Sequence, residues 1–129
     1  RVAIAGMISM RPKCIVLDEP TAMLDPEGRR EVMSTIHRLN KEEGITVLHI
    51  THHMDEVIDA DRVVVMDQGR IALQGTPREV FSNVELLRNL HLDVPQVTDL
   101  AQRLRRRGYP IPKGTLTVSE MVMQLCPSD

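Results

Sequence analysis

The chain has 129 residues, enough for one small domain, and its 42% hydrophobic and 26% charged content is ordinary for a globular protein. A net charge of -2 supplies no field for nucleic acid, and 2% aromatic residues leave no base-stacking platform. No apolar run approaches the ~18 residues that span a bilayer, no signal-peptide pattern is present, and two distant cysteines, Cys14 and Cys126, suggest no disulfide framework and a reducing compartment.

The apolar pattern Val2, Ile4, Ala5, Ile8 starts at once after Arg1 with no capping residue before it, so residues 2–10 read as a helix that Pro12 ends. Residues 13–17 read as a strand buried on both faces, because the apolar run is continuous and does not alternate. Cys14 within it reads as a small buried hydrophobe. Asp25 followed by Pro26 is a helix start, with Asp as N-cap and Pro at the first helical position. Val32, Ile36 and Leu39 continue at helical spacing and Gly44 closes the helix. Residues 45–50 read as a second buried strand. Strand, helix and strand joined by short links predict a parallel sheet with a crossover helix.

A short helix is expected near 54–58. "RVVVMDQGRIALQG" reads as two strands around a turn at 67–69. Thr76-Pro77-Arg78-Glu79 is a capping box that opens a helix over 77–82, followed by another over 84–90. Beyond His91 the composition shifts. Val97, Leu100, Ala101 and Leu104 share one helical face that Gly108 stops, and a second capping box at 117–120 opens a last helix to Leu125. Met7, Met10, Met23, Met33, Met121 and Met123 read as core fillers. Arg103 and Arg105 to Arg107 read as a solvated helix end, favourable to the helix dipole. A boundary is expected near Leu92, between an α/β core and a helical tail.

In open parallel sheets, ligands bind beyond the carboxyl ends of the strands. The first strand ends at Asp18-Glu19 and the second at Thr51-His52-His53. If the two strands are neighbours, two carboxylates and an imidazole converge. Adjacent carboxylates repel unless something positive sits nearby. A divalent cation with phosphates would supply it, and Mg²⁺ prefers a carboxylate or two plus phosphates and water. His49, His52 and His53 make a poor zinc site, since no Cys or carboxylate joins them at a ligand spacing.

The stretch "LDEPTAMLDP" resembles the Walker B and D-loop of ATP-binding cassette (ABC) ATPases, and "ITHHMDEVIDADRVVVMDQGRIALQGTPREV" resembles their switch-histidine loop and the segment after it. "RVAIAGMISMRPK" is similar to the helix that follows the LSGGQ signature. The resemblance runs without gaps from Arg1 to about Phe81. It implies an α/β fold, a partial P-loop NTPase (ABC ATPase) parallel sheet with flanking helices, plus a small helical C-terminal tail. It implies ATP and Mg²⁺ as cofactors. Asp18 is then the Walker B aspartate that holds Mg²⁺, mostly through water, and Glu19 the catalytic glutamate that orients the attacking water. His52 is the switch histidine at the γ-phosphate. Asp25, in the D-loop, communicates with a second ATPase subunit. His53 stands where many relatives have Asp and is assigned no chemistry, while His49, on its strand, reads as packed or capped and not functional.

The 129 residues contain no GxxxxGK[ST] loop. The expectation is a C-terminal part of an ATPase, with 1–92 belonging to its nucleotide-binding domain and 93–129 forming an extension. The tail "LRNLHLDVPQVTDLAQRLRRRGYPIPKGTLTVSEMVMQL", and "LDVPQVTDLAQRLRRRG" within it above all, resembles the extension of energy-coupling factor (ECF) transporter ATPases, the cobalt, nickel and vitamin uptake group. That implies a second ATPase subunit, a transmembrane coupling subunit and a substrate-binding membrane protein as partners, no nucleic acid, and a place on the cytoplasmic face of the membrane. A soluble ABC protein without a transporter, or a dimerisation module without catalysis, are the rival readings.

Overall fold

The computed structural model describes Gly6 and residues 12–126. The helix expected over 2–10 therefore lies outside the described residues apart from Gly6, which is helical. The chain divides into two compact units, residues 1–52 and 53–129.

In the first unit, β1 (Cys14–Asp18) and β2 (Thr46–Ile50) pair in parallel, with Asp18 opposite Ile50. The crossover between them is α1 (Pro26–Lys41). Its start follows the sequence rule: the Asp25 carboxylate accepts the Gly28 N–H at 2.9 Å, and Pro26 takes the first position, where no N–H is needed. Arg38 and Lys41 lie in the last turn, where the helix dipole favours cations. Gly44 sits at φ +67, a conformation that needs no Cβ, and turns the chain into β2. Val32, Ile36 and Leu39 from α1 meet Ile15, Leu17 and Ile45 in one core, with Leu24, Met33 and Val47 packed at its edge. Burying each such side chain contributes about 1.5–3 kcal/mol.

The expectation that both strands are buried on both faces is corrected. Ile15 and Leu17 point into the core, whereas Val16, Leu48 and Ile50 are 59%, 54% and 47% exposed. Cys14 is exposed too. The side-chain period of a strand is two, so one helix layer covers alternate residues only. A continuous apolar run reports that both faces are apolar. It does not report that both are covered.

In the second unit a single 3-10 turn, Met54–Glu56, stands where the sequence predicts a longer helix. β3 (Val63–Asp67) and β4 (Arg70–Gly75) form an antiparallel hairpin with a bulge after Val65. Gln68 and Gly69 both have positive φ (+46 and +75), which fits a tight turn whose twist matches the strands. The capping box holds as expected for α2 (Pro77–Phe81). The Thr76 N–H donates to the Glu79 carboxylate at 2.8 Å, and the Glu79 N–H donates to the Thr76 hydroxyl at 3.3 Å. The Thr76 backbone N–H, then its hydroxyl, hold the Glu79 carboxyl below its ordinary range.

The next helices are α3 (Val84–Asn89), α4 (Gln96–Arg106) and α5 (Val118–Leu125). Val63, Val65, Val80, Phe81, Leu87 and Leu116 form one core, against which Leu90, Leu92 and Val94 pack. A smaller core joins Ala101, Ile111 and Met121, with Val97 and Leu104 at its edge. Leu100, expected on the same buried face, is exposed instead. Its neighbours Thr98 and Gln102 are the buried ones, and Thr98 is satisfied by donating to the Thr115 carbonyl at 2.8 Å. The basic end of α4 is paired and not merely solvated: Arg103 meets Asp99 at 2.8 Å, and Arg106 meets Glu85. Of the methionines read as core fillers, Met121 is buried and Met33 packs on a core, but Met23 and Met123 are exposed, and Met7 and Met10 lie outside the described residues. No described helix is long and apolar enough to cross a membrane.

Candidate active site

The candidate site is built entirely within residues 1–52. Because β1 and β2 are direct neighbours in register, their carboxyl ends arrive together. The ladder extends one step past the strand, with the Glu19 N–H donating to the Ile50 carbonyl at 2.9 Å. That bond fixes the backbone of Glu19 beside Ile50, two positions before His52.

Glu19 itself has φ +44, in the left-handed region where an L residue with a Cβ is strained. Such strain costs on the order of 1–2 kcal/mol and persists only where surrounding structure over-determines it. Here the restraints are the Ile50 bond on one side and, on the other, a tight turn in which Ala22 N–H donates to the Glu19 carbonyl at 3.0 Å. The left-handed residue breaks the strand's alternation and turns the Glu19 side chain toward the β2 end. Its carboxylate Oε1 lies 2.7 Å from His52 Nδ1.

Both side chains are substantially open to solvent, 44% for Glu19 and 62% for His52, so a substrate can reach them. With Nδ1–H donating to the carboxylate, the ring is oriented and Nε2 remains its second polar atom. Asp18 closes β1 beside Glu19 and is also exposed. The oxygen-only donor set of Asp18 and Glu19 suits a hard divalent cation completed by phosphate and water. Among the described residues no cluster of three His, Cys, Asp or Glu gathers as a self-sufficient metal cage.

The loop from Glu19 to Asp25 is ordered by its own contacts. Thr21 is fully buried, and Leu24 N–H donates to the Thr21 carbonyl at 3.2 Å. Met23 carries φ +65 and stands out fully into solvent. Asp25 is held at the far end by its capping bond to α1. The structure thus brings Asp18, Glu19 and His52 to one sheet edge and places Asp25 at the other end of the same loop. His49 is half-buried on β2, and His53 belongs to the second unit. The strained φ of Glu19 had no signal in the sequence, because Glu is not a residue that advertises a left-handed turn.

No protein-family model matches the chain. An energy-coupling factor transporter ATP-binding protein of Caldanaerobacter subterraneus subsp. tengcongensis is 67% identical over 126 residues, which is 98% of this chain and 46% of that protein. The chain therefore spans about half the length of the curated relatives it matches. Among solved structures, CbiO1 of Clostridium perfringens, described as part of the ABC transporter complex CbiONQ, aligns with a TM-score of 0.59 at 46% identity, covering 78% of this chain and 41% of that one. A dimeric post-hydrolysis state of an ATP-binding cassette bound to ADP and phosphate aligns with a TM-score of 0.56 at 29% identity, covering 59% of this chain and 33% of that one.

Proposed function

We propose, from the premise that the chain belongs over its matched residues to the energy-coupling factor transporter ATP-binding proteins and has their ABC ATPase fold, that its protein hydrolyses ATP to drive uptake of a vitamin or a transition-metal ion. The observation that carries this reading is the Glu19–His52 contact at the paired strand ends, with Asp18 beside it. Glu19 takes a proton from the water that attacks the γ-phosphorus, and ADP leaves. His52, oriented through Nδ1–H on Glu19, donates Nε2–H to a γ-phosphate oxygen, which requires both ring nitrogens to carry hydrogen. Asp18 would hold Mg²⁺, which would supply positive charge against the phosphate oxygens. Asp25 serves the neighbouring subunit's site from its capped position.

In this reading residues 1–92 are part of the nucleotide-binding domain and 93–129 its helical extension. The exposed apolar side chains of α5, namely Val118, Val122 and Leu125, meet a second ATPase subunit. Spaced four and three apart, they share one face of the helix. A similar ATP-binding cassette is described as dimeric, which supports a second ATPase subunit as a partner of the protein. The protein works on the cytoplasmic face of the membrane beneath a transmembrane coupling subunit and a substrate-binding membrane protein.

Replacing His52 by Ala in a whole ATPase that carries these residues tests the assignment. Turnover should fall about tenfold or more, the worth of one lost charge-assisted hydrogen bond in the transition state, while ATP still binds. Unchanged steady-state hydrolysis would remove His52 from the site.

A further inference from the structure

The polar contacts that hold the last helix converge on one arginine of α2. Arg78 Nη1 donates to the Gly114 carbonyl at 2.6 Å, and Nη2 donates to Glu120 Oε1 at 2.6 Å. The other carboxylate oxygen of Glu120 accepts the Leu116 N–H at 2.8 Å. One guanidinium therefore ties both the turn before α5 and the first turn of α5 to α2. The approach is close. Gly114 has φ +74, and a Cβ there would stand 2.6 Å from Arg78 Cγ and 3.1 Å from the Arg78 carbonyl oxygen.

Apolar packing alone does not fix this helix. Only Met121 of α5 is buried, in the small core with Ala101 and Ile111. Val118, Val122, Met123 and Leu125 are exposed. Leu116 and Thr115 anchor the chain just before the helix, but within the helix Met121 alone is buried, so rotation about the helix axis is held by few apolar contacts. Two hydrogen bonds from a planar guanidinium, to acceptors on two different segments, fix that rotation.

We infer that Arg78 is a positioning residue: through the Gly114 carbonyl and Glu120 it sets the direction in which α5 presents Val118, Val122 and Leu125 to the second subunit. The inference rests on the proposed reading of that face as a subunit contact. Lysine does not replace it, because a single ammonium on a flexible stem has no fixed fork for the two acceptors.

The test uses the purified, nucleotide-free pair of whole ATPase subunits and the variants Arg78→Gln, Arg78→Lys and Val122→Glu. Amide hydrogen exchange should speed up about tenfold across 113–125 in Arg78→Gln, the combined scale of its two solvent-open hydrogen bonds, and less in Arg78→Lys, with 84–92 unchanged. Pair association by light scattering should weaken in the same order. Val122→Glu should weaken association without changing exchange. Unaltered exchange in Arg78→Gln overturns the latch. Faster exchange with unaltered association, while Val122→Glu does weaken the pair, overturns the positioning role alone. Unaltered association in Val122→Glu overturns the subunit contact itself and the positioning role with it.

Discussion

Asp25 shows how one side chain can carry two jobs that a mutation would confuse. Its Oδ1 caps α1 by accepting the Gly28 N–H, and the family resemblance implies a second role toward a neighbouring subunit. Asp25→Ala removes both. It should cost about 0.5–2 kcal/mol of stability through the lost cap, measured by denaturant unfolding. Asp25→Ser keeps a capping oxygen and should stay within a few tenths of wild type. If Asp25→Ala unfolds at the wild-type midpoint, the cap contributes nothing and the account of α1's start is wrong. At this scale the sequence carried placement at the strand ends but not backbone conformation. That Asp18, Glu19 and His52 would meet at paired strand ends could be expected from the two apolar runs, whereas the role of each came only from the family resemblance. The left-handed backbone of Glu19 could not be expected, because it is imposed by the Ile50 bond from a strand about thirty positions away.

Elements with local causes were legible and those with distant causes were not. Both proline-led helix starts, at Asp25-Pro26 and Thr76-Pro77, came from contacts within four residues. The hairpin turn likewise came from its glycine. Gly69 has φ +75, and a Cβ added there would meet nothing within 4 Å, so a larger residue is opposed by backbone conformation and not by crowding from neighbours. Gly69→Val should therefore destabilise the second unit by about 1–2 kcal/mol, read as a lower thermal midpoint. An unchanged midpoint would mean the turn is not held in the left-handed region. What failed was burial. The apolar runs predict strands covered on both faces in the first unit, and the helical spacing predicts an inward Leu100. A run or a helical face shows where apolar residues lie but not which neighbour reaches them. Arg78 was invisible for a related reason: its partner Glu120 is 42 residues away in the chain, and an arginine in a helix's first turn reads as solvated.

At the scale of the molecule, the tail is an integral part of the second unit, residues 53–129. Leu116 is buried in the same core as Val80, Phe81 and Leu87. The Glu120 carboxyl is held below its ordinary range, first by the Arg78 hydrogen bond and next by the Leu116 N–H. Cutting the chain after Leu92 should therefore cost at least the burial of Leu116, about 1.5–3 kcal/mol, as a lower unfolding midpoint of the remaining second unit. A truncated protein that melts where the whole one does would show that the tail lends no support to α2 and α3. For this reason single surface substitutions on α5 isolate its role toward a partner better than deletion does. The central claim remains the chemistry at the sheet edge, and it is tested most directly by Glu19→Gln in a whole ATPase carrying these residues. The amide is nearly isosteric with the carboxylate but accepts no proton. ATP should bind with wild-type affinity while single-turnover hydrolysis slows ~10²–10⁴-fold, the usual loss on removing a general base. Hydrolysis at close to the wild-type rate would contradict the assignment of Glu19 as the group that activates water.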